Sequence, residues 1–181
     1  MKPHCDCAIV APNRRAFLAG VASAALSGSG AQAQSGAASA DDVRFMRMAI
    51  DEARHADFPF GAVIVRDGSV IARGRNLGRT TDDPTAHGEM VAIRRCLADH
   101  GSTGLRGSTL YTSGEPCAMC MGAILWCHMG RLVFAASVAQ LATQIGQIMI
   151  SSSELAAKTP VAPIAITGGV LADEALALFA K

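Results

Sequence analysis

The stretch LYTSGEPCAMCMGAILW, residues 110–126, determines how the rest of the chain is interpreted. A short run typical of a strand, 109–112, is followed by Pro116 and by two cysteines three positions apart, Cys117 and Cys120. Proline is favoured in a first helical turn because its missing N–H would be unpaired there anyway. The positive end of the helix dipole lowers the pKa of cysteines at a helix N-terminus. We therefore expect a strand that leads into a helix whose first turn presents two thiolates.

A second stretch, DPTAHGEMVAIR (83–94), starts another predicted helix, from 86 to 98, with Thr85 as its cap. The imidazole of His87, in this stretch, would complete a set of metal ligands with the two thiolates of Cys117 and Cys120. Sulfur and imidazole ligands in a tetrahedral shell favour Zn²⁺. Three protein ligands leave the fourth position open, which is typical of a catalytic zinc rather than a structural one. Glu89, two residues after the histidine, is then suited to act as general acid and base.

Together these stretches resemble the cytidine deaminase-like superfamily, in particular its guanine deaminase and tRNA-adenosine deaminase branch. A His-x-Glu followed by Pro-Cys-x-x-Cys is the signature of zinc-dependent base deaminases. The likeness extends from about residue 43 to 179. Three further stretches resemble the same superfamily: FPFGAVIV (58–65), GRN (74–76) and ITGGVLADEA (166–175).

The resemblance implies a role for each candidate site residue. The implied ligands of one Zn²⁺ per chain are His87, Cys117 and Cys120, and Glu89 is the implied proton shuttle. The implied substrate-binding residues are Asn76, Phe60, Trp126 and Ala86. The implied reaction is hydrolytic: an activated water attacks the ring carbon that bears an exocyclic amine, and ammonia leaves.

Strand-like and helix-like segments alternate along the chain, which predicts an α/β protein. The predicted strands are 60–65, 70–73, 109–112, 132–135 and 163–167. The predicted helices start at the Asp41-Asp42 cap, at 86, at 116 and at 172. The segment 136–150 is not assigned. With the family resemblance, these elements predict a three-layer α/β/α sandwich around a central five-stranded mixed sheet, usually in a homodimer.

The first 33 residues have the form of an export signal. Arg14 and Arg15 precede a short apolar region and an Ala-x-Ala site at 31–33, which is the order of a secretory signal. The paired arginines followed by Phe-Leu indicate the twin-arginine type. The apolar region is shorter than the ~20 residues that span a bilayer, so no permanent membrane span is expected. The prediction is a signal at 1–33, a linker at 34–40 and a deaminase domain at 41–181, periplasmic or secreted; the alternative is a cytoplasmic protein with a basic tail.

Net charge argues against nucleic acid as a partner. The chain has 16 basic and 15 acidic residues, and the first 33 contain three of the former and one of the latter, so the remainder carries −1. Anticodon binding would need many phosphate-facing cations. We interpret Arg73, Arg75 and Arg79 as an exposed hairpin edge. A tRNA-adenosine deaminase remains the alternative, because ITGGVLADEA is closer to the tRNA-type ending.

The predicted substrate is a small molecule, a free nucleobase or nucleoside, with a purine such as guanine favoured. Phe60 and Trp126 support it, because aromatic side chains stack on planar rings. Guanine deaminases use an acidic residue from the C-terminal part, and 135–150 contains none. The candidates to replace it are Glu154, Asp173 and Glu174.

Two glycines, Gly88 and Gly114, stand where the family commonly has larger residues. We expect them to loosen the pocket wall.

A protein of another class is the remaining alternative. A CxxC pair also occurs in thiol–disulfide exchange proteins, and a zinc protein can bind its ligand without reaction. Neither alternative gives His87 and Glu89 together a role. A bound zinc would also explain how Cys117 and Cys120 stay reduced after export.

Overall fold

The computed structural model describes residues 38–161 and 163–180. The predicted export signal and most of the predicted linker lie outside these residues. Helix α1, Ala40–Arg54, begins earlier than the predicted Asp41-Asp42 cap. Its N-cap is Ser39, whose hydroxyl accepts from the Asp42 N–H while the Asp42 carboxylate accepts from the Ser39 N–H. The acidic pair therefore lies in the first turn, where the positive end of the helix dipole favours it.

Five strands form one mixed sheet, as the sequence predicts. They are β1 Gly61–Arg66, β2 Ser69–Arg75, β3 Thr109–Gly114, β4 Arg131–Ala136 and β5 Ala165–Thr167. Their order is β2-β1-β3-β4-β5. β1 runs antiparallel to both β2 and β3, whereas β3, β4 and β5 are parallel. The β1–β2 turn at Asp67 and Gly68 has φ values of 50° and 73°, which suits a two-residue hairpin turn.

The other helices are α2 Gly88–Leu105, α3 Ala118–Trp126, α4 Val138–Leu141, α5 Ser152–Ala157 and α6 Ala172–Leu176, which continues into a 3₁₀ turn, Ala177–Phe179. α2 is broken at Gly101, whose φ of 65° is not helical. The amphipathic pattern fades near Ala98 for this reason. Within the described ranges, no helix combines the length and apolar character needed to cross a membrane.

Helices cover both faces of the sheet and make the three layers. On β1, Ala62 and Ile64 contribute to one core, while Val63 and Val65 contribute to the other. α2 and α3 pack on the first face, and α1 and α6 pack on the second. The strict alternation along a strand separates the two cores.

One buried ionic group ties α1 to the sheet. The Asp42 carboxylate is 3% exposed and accepts from Arg131 at 2.7 Å and 3.1 Å. The Tyr111 hydroxyl donates to it at 3.0 Å. Burial alone would raise the pKa of Asp42, but the hydrogen bonds from Arg131, Ser39 and Tyr111 outweigh burial and lower it to about 2. Burial and the bond to Asp42 raise the pKa of Tyr111 to about 12.

Candidate metal centre

The connections at one edge of the sheet bring the candidate residues together. Phe60 precedes β1, Asn76 follows β2, Glu115 follows β3 and Ser137 follows β4. Because β1 is antiparallel to β2 and β3, and β3 is parallel to β4, all four positions lie at the same edge. This edge contains the carboxyl ends of the parallel strands, where α/β proteins commonly bind ligands.

Two of the candidate metal ligands occupy the N-cap positions of α2 and α3. His87 precedes α2 with φ −66° and ψ 156°, and Cys117 precedes α3 with φ −63° and ψ 167°. Neither side chain caps its own helix. The predicted cap Thr85 is wrong: its N–H and hydroxyl instead bond the Asp83 carboxylate in the preceding turn, at 2.8 Å and 2.6 Å.

The two N-caps face each other. His87 Nδ1 lies 3.6 Å from the Sγ of Cys117 and 3.6 Å from the Sγ of Cys120. The three ligand atoms all lie within 4.8 Å of one another, and both cysteines are free thiols. Two sulfurs and one imidazole nitrogen are a donor set that fits Zn²⁺ with a fourth position open. This group can therefore hold one zinc ion.

Hydrogen bonds within the group shift the pKa values of the two thiols in opposite directions. The bond from Cys120, together with that from His87, overcomes burial and lowers the pKa of Cys117 to about 4. The bond to Cys117 and burial raise the pKa of Cys120. The bond to Cys117 also raises the pKa of His87. One thiolate is thus already favoured, which suits a cation-binding site.

Glu89 lies beside this group in the first turn of α2. Its side chain is 4% exposed, and burial raises the pKa of its carboxyl group. The Thr112 hydroxyl donates to Glu89 Oε1 at 3.3 Å. A buried carboxyl with a raised pKa, held by one hydroxyl, can carry a proton at neutral pH.

A cavity of about 1090 Å³ opens onto the candidate metal ligands His87 and Cys117. Its walls come from the chain before β1, the loop after β2, the starts of α2 and α3, and the loop after α4. The lining residues are Asp57, Phe58, Pro59, Phe60, Asn76, Gly78, Arg79, Asp82, Pro84, His87, Glu89, Glu115, Cys117, Ile145, Gly146, Gln147 and Ile148. Hydrogen bonds from Thr80 to the Asp57 carboxylate, at 2.7 Å and 2.8 Å, join the first two walls. The volume accommodates a purine base with room for an attached group.

Two of the predicted substrate-binding residues line the cavity. The Asn76 carboxamide oxygen accepts from the Gly78 N–H at 3.1 Å, which leaves its NH₂ group to donate. The Phe60 ring stacks on Phe58, with centroids 6.2 Å apart and planes 12° apart. It also meets the edge of Phe179 at 5.5 Å. Phe60 therefore packs against the core and also lines the cavity.

The other two predicted substrate-binding residues do not line the cavity. Trp126 ends α3, nine residues beyond Cys117, and is 60% exposed. Nine residues are about 13 Å of helix, which explains the separation. The Ala86 side chain is buried at 3% exposure, and its carbonyl accepts from the Leu77 N–H at 2.9 Å. Ala86 thus supports the loop that carries Asn76.

The glycines do not loosen the wall, contrary to the sequence prediction. A Cβ atom at Gly114 would lie 2.8 Å from Phe60 Cε1 and 3.0 Å from Leu141 Cδ1. A Cβ atom at Gly88 would lie 3.0 Å from the Phe60 carbonyl oxygen. The missing side chains are thus replaced by Phe60, which comes close to both glycines.

The three C-terminal acids lie away from the cavity. Glu154 accepts from the Ser151 N–H at 2.9 Å in a helix cap, and Glu174 lies 3.7 Å from Arg47. Asp173, in α6, is also absent from the lining. The acids that line the cavity, besides Glu89 and Glu115, are Asp57 and Asp82.

The three arginines near the hairpin separate into two groups. Arg73 and Arg75 lie 4.0 Å and 3.8 Å from Glu52 of α1, on the exposed edge that the sequence predicts. Arg79 alone lines the cavity and donates to the Asp57 carbonyl at 2.6 Å.

Sequence reasoning missed the wall formed by residues 145–148 and the buried carboxylate of Glu115. The residues from Ser151 to Glu154 are recognisable in the sequence as a helix cap, which the structure confirms, and a second cap at Ser137 was available as a signal. Ser137 with Gln140, and Ser151 with Glu154, both form the reciprocal Ser-x-x-Gln/Glu cap. They delimit an irregular segment between two short helices.

A family model described as the cytidine and deoxycytidylate deaminase zinc-binding region matches residues 39–136. A guanine deaminase from Bacillus subtilis is 51% identical over 78 residues, which cover 43% of this chain and 50% of the relative. The chain thus spans half the length of this curated relative.

Solved structures extend the likeness to the fold. Guanine deaminase from Nitrosomonas europaea has a TM-score of 0.67 at 27% identity, over 76% of this chain and 82% of that one. A structure from a study of A-to-I editing by tRNA:A34 deaminases has a TM-score of 0.64 at 34% identity. That match covers 75% of this chain and 98% of the other. The region that the family model matches, residues 39–136, contains His87, Glu89 and both cysteines.

Proposed function

Because this chain belongs to the cytidine and deoxycytidylate deaminase family, we propose that it removes an exocyclic amine from a free purine base or nucleoside by zinc-dependent hydrolysis. The observation that carries the proposal is the position of Glu89, a buried carboxyl beside the His87, Cys117 and Cys120 group at the base of a cavity. Water and the amine are converted to a carbonyl product and ammonia.

The chain's own residues supply binding and proton transfer. Zn²⁺, when bound, supplies the Lewis acid that makes water nucleophilic at neutral pH. Glu89 takes one proton from the attacking water and delivers it to the ring nitrogen; it then takes the second proton of that water, whose oxygen is now bonded to the ring carbon, and delivers it to the amine, which leaves as ammonia as the C–N bond breaks and the carbonyl forms. The Thr112 hydroxyl, 3.3 Å from Glu89 Oε1, orients the carboxyl group for these transfers.

Substrate orientation is assigned to Asn76 and Phe60. The Asn76 NH₂ group is free to donate to an acceptor on the base, because its oxygen is held by Gly78. The Phe60 ring offers an apolar surface to a planar heterocycle. Guanine is the favoured base, since a guanine deaminase is among the relatives with the highest identity.

Ammonia release by purified protein of known zinc content tests this function. Guanine, adenine, adenosine, cytosine and cytidine are the substrates to compare. We expect release from a free purine at one zinc per chain. Zinc without ammonia from any of them would contradict the proposed substrate class, and neither zinc nor ammonia would contradict the deaminase itself.

A second candidate substrate is adenosine in tRNA. The likeness to a tRNA:A34 deaminase structure favours it, and Arg79 at the cavity could meet a phosphate. The charge of −1 after residue 33 argues against it. Incubation with an anticodon stem-loop that carries adenosine, followed by inosine analysis, distinguishes the two.

Export by the twin-arginine route is proposed to deliver the protein already folded with its metal. This would explain how thiols as close as those of Cys117 and Cys120 stay reduced in an oxidising compartment. Cell fractionation of the native protein and of a variant with Arg14→Lys and Arg15→Lys tests the route. Exported protein with a Cys117–Cys120 disulfide and no zinc would contradict it.

A homodimer is proposed to cover the outer face of α3. Met119 and Trp126 are 37% and 60% exposed and lie seven residues apart on this helix, so they share one face. The resemblance to dimeric deaminases supports a second copy as the occupant. The molar mass in solution should be that of two chains and should fall to one in Trp126→Lys; an unchanged dimer would locate the interface elsewhere.

A further inference from the structure

One buried carboxylate holds both ends of the segment that closes the cavity. Glu115 Oε2 accepts from the Val138 N–H at 2.8 Å, and Glu115 Oε1 accepts from the Ser152 N–H at 2.7 Å. The residues between these two amides include the cavity wall, 145–148. The Glu115 side chain belongs to a residue that is 8% exposed.

Both amides belong to the first residue of a helix. α4 begins at Val138 and α5 begins at Ser152. The serine before each helix already caps a later amide: Ser137 accepts from Gln140 N–H at 3.2 Å, and Ser151 accepts from Glu154 N–H at 3.2 Å. The first amide of each helix has no partner within the helix. Glu115 supplies an acceptor to both.

Glu115 also belongs to the metal-binding loop. It follows β3 directly and lies two residues before Cys117. Its own N–H donates to the Ala136 carbonyl at the end of β4, at 2.7 Å. A displacement of the wall would therefore have to break bonds to the loop that carries Cys117.

We propose that Glu115 is a positioning residue, which fixes the segment from Val138 to Ser152 and so holds the wall 145–148 at a set distance from the metal centre. The wall then determines which substrates fit beside Glu89. This inference deepens the proposed function and rests on it only for the effect on substrate.

Two variants weaken the hydrogen bonds that Glu115 accepts: one changes the acceptor and the other removes a donor. Glu115→Gln replaces one acceptor oxygen with an NH₂ group that faces an N–H. Val138→Pro removes one donor and keeps a residue of similar size at the first helical position, where proline is accepted. The ψ of 160° at Ser137 suits a residue before proline.

Each variant has a matched control. Glu154→Gln alters an exposed carboxylate in the cap of the same helix α5, away from the cavity. Ala40→Pro introduces proline at the first position of α1, which is exposed. Neither control touches Glu115.

Amide hydrogen exchange of the zinc-loaded protein without substrate is the first readout. We expect peptides within 139–151 to exchange at least about tenfold faster in Glu115→Gln and Val138→Pro, because a hydrogen bond to the buried Glu115 side chain is lost. Exchange in α2 and β1, and one zinc per chain, should not change. Both controls should match the wild type.

Steady-state kinetics give the second readout. We expect KM to rise about tenfold while kcat stays within about twofold, because a displaced wall weakens binding without altering the reacting groups. A merely structural role would instead lower the active fraction and reduce kcat at unchanged KM.

Several outcomes would overturn the inference. Exchange within 139–151 equal to the wild type in Val138→Pro would do so, even if Glu115→Gln failed to fold. Exchange in Val138→Pro that is as much faster across α2 and β1 as within 139–151 would overturn it, because Glu115 would then support the whole fold rather than this segment. Faster local exchange with unchanged KM would show that the wall does not position substrate. Faster local exchange in a protein that deaminates nothing would support the role of Glu115 in fixing the segment from Val138 to Ser152 and would contradict the proposed function instead.

Discussion

The side chains of His87 and Cys117 occupy positions that usually hold Ser, Thr, Asp or Asn. An N-cap side chain ordinarily accepts a backbone N–H of its own helix, and neither of these does so. Each instead directs a ligand atom towards the other helix, 3.6 Å away. α2 and α3 thus lack the stabilisation that an N-cap side chain normally gives a helix. The two N-cap residues instead supply candidate metal ligands, and such a loss of local stability is typical of functional sites.

At Glu89, we expect Glu89→Gln to retain zinc and to lose turnover by about 10²–10⁴-fold, because a carboxamide cannot carry the proton. Zinc per chain by atomic absorption and ammonia release are the measurements. Thr112→Val, which removes only the hydroxyl bond to Glu89, should cause a smaller loss. Loss of zinc in Glu89→Gln would mean that the glutamate supports the metal site rather than the reaction.

At Gly114, the close approach of Phe60 predicts a steric conflict. Gly114→Ala should lower the free energy of unfolding by about 1–3 kcal/mol, as overpacking does, and should raise KM by moving the Phe60 ring. Gly122→Ala is the control, since a Cβ atom there meets nothing within 4 Å. Urea unfolding and KM are measured for both; equal stability of the two variants would refute the conflict.

Helix α1 owes its attachment partly to the ionic group around Asp42. Because the pKa of Asp42 in the folded protein, about 2, lies below the ordinary aspartate pKa of 3.8, this group stabilises the fold above pH 4, and the contribution is lost as pH falls towards 2. The difference corresponds to about 2 kcal/mol.

The unfolding free energy should therefore fall less steeply between pH 4 and 2.5 in Asp42→Asn than in the wild type. Urea titrations at several pH values measure it, and the difference between the two proteins cancels the acid sensitivity of the zinc ligands. Parallel curves would show that Asp42 titrates normally in the folded protein.

Elements with a regular hydrophobic period were predictable from the sequence, and their ends were less so. The five strands appear close to where their apolar runs predict them, and β1, β3 and β4 are buried on both faces of the sheet. The start of α1 was misplaced because two acids resemble a cap, whereas Ser39 makes the hydrogen bond. The segment 136–150 gave no period because it mixes one turn of helix with an irregular wall.

The grouping of His87, Cys117 and Cys120 was predictable from the sequence, but the cavity was not. Sulfur, imidazole and carboxyl groups at fixed spacing specify chemistry that few other arrangements explain. The cavity joins side chains from five separate parts of the chain, and only the fold shows that Phe60 faces it and Trp126 does not. The role of Trp126 in substrate binding stays a prediction, because in the single chain it lies at the far end of α3 from Cys117 and does not line the cavity.

Metal binding should contribute to the stability of the whole molecule, because the group joins α2 to α3. Chelation should lower the melting temperature by roughly 10 °C, the size expected for a ligand present at about 100 times its Kd, and added zinc should restore it. Calorimetry with and without chelator measures the shift. Cys117→Ser should show no shift, and Cys96→Ala, a core cysteine, should retain it. An unchanged melting temperature in the wild type would mean that the group binds no zinc.

Helices α4 and α5 are both anchored to the Glu115 carboxylate. The residues proposed to react and the residues that form the cavity wall therefore lie in different parts of the chain. The ligands and Glu89 lie on α2 and on the loop into α3, whereas the wall at 145–148 lies between two fixed points further on. We therefore expect that residues 142–150, a cassette between these two fixed points, can be substituted while His87, Glu89 and Cys117 keep their spacing. Libraries confined to this cassette should alter the range of amines accepted at constant zinc content, which offers a direct route to deaminases for new heterocycles.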